Sequence, residues 1–218
     1  QVELALMRTG EYKAARAYVL YREQQNQKRV EDEKQHPQAV TESTINVTAA
    51  DGSKTPLDIA RLQNLITEAC EGLSGVDGSA ILHDTQRNIF DGVAESDVEK
   101  ALIMSARTFI EKDPDYSAVS ARLLMDSIRR EALTFVYDTP RQASQHDMDN
   151  VYQDYFKLYI QRAIDLELLA PELAEYDLQK MGEALKPEND FNFTYLGLQT
   201  LYDRYFIHQN DIRFELPQ

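Results

Sequence analysis

Cysteine is almost missing from this sequence of 218 residues: Cys70 is the only one. That excludes an intramolecular disulfide and any zinc site built on several thiolates. Cys70 adjoins Ala69 on an apolar helical stripe and reads as a small core residue, not a reactive thiol. Cations are also scarce, 23 Lys and Arg against 37 Asp and Glu, for a net charge of −14. So acidic a chain repels phosphodiester backbones, and no basic run is longer than Lys28-Arg29, which argues against general nucleic-acid binding. No apolar run approaches the length of a membrane span and no signal peptide is visible, so a cytoplasmic protein is expected. His83, His146 and His208 stand apart from any nucleophile. No catalytic residue and no metal site is predicted, because a lone histidine is by default structural. His36 follows Glu33 at a spacing that binds metal in some four-helix bundles, but only beside partner carboxylates that a polar stretch does not offer.

What is present is helical periodicity. A short alternating segment, Ile45 to Thr48, reaches Asp51-Gly52, a dipeptide suited to the positive φ of a tight hairpin turn. Ser53 to Leu57 forms the second arm. Three apolar stripes follow: Ile59, Leu62, Ile66, Ala69 and Leu73; then Val98, Leu102, Ala106 and Phe109; then Ala121, Leu124, Ile128 and Ala132. Spacings of three and four predict helices with one buried face, and Ser79 to Phe90 reads as a less regular fourth. None can bury its stripe alone, so residues 45–137 are expected to fold together. Ser96 and Glu99 have the spacing of a capping box. Asp113-Pro114 interrupts the pattern, and Arg129 and Arg130 read as cations near a helix C-terminus.

The N-terminal part opens inside an apolar pattern. Residues 1–25 are expected to be two helices broken at Thr9-Gly10, followed by a polar linker over 26–44. Val2-Glu3 and Tyr12…Ala15-Arg16 recur in order as Val98-Glu99 and Tyr116…Ala121-Arg122. This predicts a duplicated module, with residues 1–25 the closing helices of a first copy cut short. After a second linker over 138–150, residues 151–218 carry a strong helix from Val151 to Ala163, a helical start at Pro171 and a stripe from Tyr195 through Leu198, Leu201 and Tyr202 to Tyr205. The predicted fold class is mainly α: a helical bundle with a small β-hairpin cap, followed by a second helical segment.

The order of hairpin, Asp51-Gly52 turn, Phe90-Asp91-Gly92-Val93, Ser96-Asp97-Val98 and Asp113-Pro114-Asp115-Tyr116-Ser117 resembles the ATP-cone. That module is the regulatory nucleotide-binding unit of many ribonucleotide reductase large subunits. The run from Phe191 through Tyr195-Leu196-Gly197-Leu198 to Tyr205-Phe206, with Leu168 to Leu173, is similar to the N-terminal helical region of class I large subunits. The resemblance implies a fragment that lacks the catalytic barrel and cannot reduce a nucleotide alone. It also implies ATP and dATP as allosteric effectors of the intact enzyme, acting through the truncated first cone. The implied partners are other large subunits and the small radical-generating subunit.

The resemblance carries a departure. A lysine-arginine pair is expected just before the Asp51-Gly52 turn to grip effector phosphates, and Ala49 and Ala50 stand there. Arg61 and Arg130 match the two other cationic positions. Glu95 and Glu99 fall where the family has threonine and histidine. Each charge-assisted contact is worth about 1.5–3 kcal/mol. Losing two and gaining two carboxylates costs more than about 4 kcal/mol, roughly a thousandfold in affinity. The nucleotide-binding candidates are therefore Asp51, Gly52, Arg61 and Arg130 in a degenerate pocket. Two other classes are weighed: a non-enzymatic helical interaction module, and a cone-bearing transcriptional repressor, which the acidic balance and missing zinc cysteines disfavour.

Overall fold

The structure, a computed structural model, describes residues 45–49 and 52–218. The helices expected within 1–25, the polar stretch 26–44 with Glu33 and His36, and Asp51 lie outside the described residues. Residues from Ile45 to Gln218 form one compact unit.

β1 (Asn46–Thr48) and β2 (Lys54–Pro56) pair antiparallel as the predicted hairpin, Val47 opposite Thr55. A third strand, β3 (Val93–Ala94), lies parallel to β1 on its other side, with Val47 opposite Val93. Two residues carry no periodicity, so β3 was not legible in the sequence. Its placement comes from the turn before it. Asp91 Oδ1 accepts from the Asn46 backbone N–H at 2.8 Å, and Gly92 donates to the Asn46 carbonyl at 2.7 Å. Gly92 has φ +85°, a backbone region open to glycine and strained for other residues.

α1 (Ile59–Cys70) starts where the Asp58 carboxylate accepts the Arg61 N–H, and it buries Leu62, Ile66 and Ala69. α2 (Gly78–Asn88) is capped by Asp77, which accepts from Ser79 and Ala80, and buries Ile81 and Thr85. α3 (Glu95–Thr108) buries Val98, Leu102 and Ala106. Its N-cap is Ala94 with no side-chain cap, so the capping box expected of Ser96 and Glu99 does not form. The Glu99 carboxylate instead takes two guanidinium partners, a stronger arrangement than one amide.

α4 (Tyr116–Tyr137), 22 residues long, is the axis of this unit: Val119, Ala132 and Leu133 are fully buried, and helices from both sides pack on it. Because α4 runs on to Tyr137, Arg129 and Arg130 lie in its body, and the helix-dipole role expected for them is corrected. The helix ends at Asp138, in the left-handed region at φ +54°.

Of the linker expected over 138–150, residues 148–150 belong to the next helix, and residues 138–147 are packed down: Ala143 and Gln145 are buried, and Ser144 is held by Asp147. α5 (Met148–Asp165) presents Tyr152, Tyr155 and Tyr159 inward. Phe214 packs against Tyr159, and its carbonyl accepts from Tyr155 Oη at 2.5 Å. Burial holds the Tyr155 phenol protonated far above the usual tyrosine range. Pro171 opens a 3₁₀ turn (Pro171–Glu175), as predicted, and α6 (Leu178–Glu183) follows. A second 3₁₀ turn (Pro187–Asn192) leads to α7 (Tyr195–Arg204), which buries Leu198 against α4. Tyr205, expected on that stripe, falls just past the helix end and is 69% exposed. β4 (His208–Gln209) and β5 (Ile212–Arg213) close the unit as a small hairpin.

Candidate functional site

Beneath the β1–β2 hairpin is a cavity of about 100 Å³ whose rim includes Thr55, Leu57, Arg61, Glu95 and Glu99. Two helices furnish the guanidinium and the glutamates on this rim, and a third supplies a partner to one of them. The Asp58 cap starts α1 so that Arg61 faces α3, the β3 strand delivers Glu95 to the first residue of α3, and Glu99 follows one turn later. Arg130, in the middle of α4, donates to Glu99.

The four side chains form a closed cluster. Arg61 Nη1 donates to Glu95 Oε1 at 3.0 Å, and Arg61 Nη2 to Glu99 Oε1 at 3.4 Å. Arg130 donates through Nη1 and Nη2 to the two oxygens of Glu99, the bidentate geometry in which arginine–carboxylate pairs are strongest. Glu99 is only 13% exposed as a side chain, so this pairing is poorly screened. Burial alone pulls the Arg130 guanidinium toward deprotonation, but the hydrogen bonds and charge of Glu99 outweigh it and the net shift is upward. Asp126, one turn before Arg130 on α4, is buried too; burial raises its carboxyl and Arg129 opposes the rise. It sits in sequence between Met125 and Ile128, and an acid inside an apolar stripe was the signal that could have marked it.

Of the residues predicted for the site, the structure brings Arg61 and Arg130 together, but both are turned onto Glu99. Gly52 serves the hairpin: at φ +83° it donates to the Ala49 carbonyl at 2.9 Å, while Ala49 donates to Ser53. Asp51 is outside the described residues. Two guanidiniums matched by two carboxylates leave no excess positive charge to draw in a polyphosphate. The space is small as well, since drug- and nucleotide-sized ligands occupy pockets of roughly 300–1,000 Å³.

The profile of the ATP cone domain matches residues 45–131, the hairpin with the helices that carry this cluster. This chain contains an ATP-cone domain. Across its whole length it is also homologous to ribonucleoside-diphosphate reductase alpha subunits. It is 39% identical to the subunit of Chlamydia muridarum and 35% identical to that of Chlamydia trachomatis, each over all of this chain and 20% of the relative. The Helicobacter pylori subunit is 31% identical over 80% of this chain and 21% of its own length. The chain thus spans about a fifth of the relatives it matches. Among the described residues no helix is long and apolar enough to cross a membrane.

Proposed function

We propose that this chain is a regulatory N-terminal part of a ribonucleoside-diphosphate reductase alpha subunit, and that its ATP cone at 45–131 acts as a scaffold and docking surface, not as a nucleotide receptor. The observation behind this reading is the double engagement of Glu99 by Arg61 and Arg130, with Glu95 completing the neutralisation. Arg61 and Arg130 are the cations that the family resemblance leaves in this pocket, and they are occupied by the protein's own carboxylates. ATP and dATP then act on the intact enzyme at a site other than this pocket. The reduction of ribonucleotides, the contacts with other alpha subunits and with the radical-generating subunit, and a cytoplasmic setting belong to the same proposal.

Charge replacement tests it. In a Glu95→Gln, Glu99→Gln variant that retains helical circular dichroism, Arg61 and Arg130 lose their counter-charges, and inorganic triphosphate should bind at least tenfold tighter than to the unmodified chain. Equal and tight binding to both forms would mean that the acids do not close the site.

A further inference from the structure

Behind this cluster, on the inner side of α4, lies a second polar group that faces the C-terminal helices instead of the hairpin. Arg129, Asp126 and Gln145 are 3%, 6% and 6% exposed. Arg129 Nη1 donates to Gln145 Oε1, and Nη2 stands 4.0 Å from Asp126 Oδ1. Gln145 is itself anchored twice, its Nε2 donating to the Pro187 carbonyl at 2.7 Å and its backbone N–H to Glu68 Oε1 at 2.6 Å. One donor of Arg129 is unspent: Nε is buried and reaches no protein acceptor. Arg122, which gives Nη1 to the carbonyls of Ala69 and Glu71 and lies 4.4 Å over the Phe191 ring, likewise has a buried Nε with no protein acceptor.

These residues line one cavity. Its volume is about 20 Å³, and its walls include Arg122, Asp126, Arg129, Glu68 and Gln145, with Phe191 closing one side. A cavity needs roughly 10–15 Å³ on this measure for a single water, together with two to four polar partners. The space therefore admits a water molecule. The charges select a neutral occupant, because an anion placed between Arg122 and Arg129 would face the Asp126 and Glu68 carboxylates, and a cation would face the guanidiniums. A molecule that both accepts and donates is what two orphan N–H groups and two carboxylates require.

We propose that this cavity binds one long-lived water molecule, which accepts from Arg129 Nε and donates to Asp126 or Glu68. The site lies where α1 and α4 of the ATP cone meet the 138–147 connection and the 187–192 turn, so the water completes a polar seam between the cone and the helices that follow it. Water fits such a seam because it supplies hydrogen bonds in directions that the fixed guanidinium fork cannot reach. Its binding is independent of whether the cone takes up a nucleotide.

Two measurements on the 218-residue chain decide the matter. A crystal structure at a resolution that places waters should show one density peak within hydrogen-bond distance of Arg129 Nε. Nitrogen-edited rotating-frame spectra should show cross-relaxation between water and the Arg129 Nε proton. In Arg129→Lys, which keeps the charge but removes that N–H, helical circular dichroism should persist while oxygen-17 relaxation dispersion reports one fewer long-lived water. A dry cavity, a protein acceptor on Arg129 Nε, or an anomalous halide peak there after a bromide soak would overturn the proposal. If Arg129→Lys fails to fold, the crystal structure and the spectra of the unmodified chain are sufficient by themselves to support or overturn it.

Discussion

Glu99 holds the cluster together, and each of its neighbours can be tested by removal. Arg130→Ala leaves a largely buried carboxylate with the longer contact to Arg61 only, and should destabilise the fold by about 2 kcal/mol in urea unfolding. A change below about 0.5 kcal/mol would mean that the pair contributes no more than an exposed one. Asp190 offers a pH test. It is 3% exposed, accepts from Tyr152 Oη at 2.7 Å and from Gln218 Nε2 at 3.0 Å, and burial raises its carboxyl despite both hydrogen bonds. An acid whose pKa is higher folded than unfolded contributes stability that is complete below the ordinary carboxylate value, about 3.9. That contribution is lost as pH rises through the folded value. Asp190→Asn should therefore gain on the unmodified chain as pH rises above about 4 in parallel urea titrations; a constant difference would contradict the shift. At this scale the sequence displayed the ingredients, alanines at 49 and 50 and acids at 95 and 99. It did not display their pairing, because the convergence of Arg61 and Arg130 on one carboxylate depends on how three helices pack. The capping box expected of Ser96 and Glu99 failed for the same reason: a local motif lost to a tertiary charge contact.

Among the elements, α4 carries the greatest share of packing. Leu133 is fully buried, and Leu133→Ala should cost about 3 kcal/mol through lost transfer energy and the cavity left behind. The β1–β3 pairing rests on a backbone constraint. Gly92 at φ +85° has open space around a hypothetical Cβ, with only the Lys54 amine at 3.8 Å, so Gly92→Ala should cost about 1–2 kcal/mol by backbone strain alone. A neutral result in thermal or urea unfolding would mean that the turn relaxes to another geometry. The stripes of α1, α3, α4 and α5 were legible because three- and four-residue spacing survives in any helix with one buried face. β3 was not, being two residues placed by the Asp91-Gly92 turn. Tyr205 was misplaced because the stripe was extended one residue beyond the α7 end.

For the whole molecule, residues from Ile45 to Gln218 form a single compact unit in which the cone and the following helices share α4 as a wall. The stretch over 138–150 has the polarity of a tether. It is nevertheless anchored by Gln145 to both sides, a role that composition cannot reveal. On the proposed reading the cone transmits position without a ligand of its own, since Arg61 and Arg130 are already paired with Glu95 and Glu99. Isothermal titration of dATP into the 218-residue chain tests that claim most directly. No binding with a Kd below about 1 μM is expected, a threshold near −8 kcal/mol; a sub-micromolar, one-to-one isotherm that is lost in Arg61→Ala would contradict it.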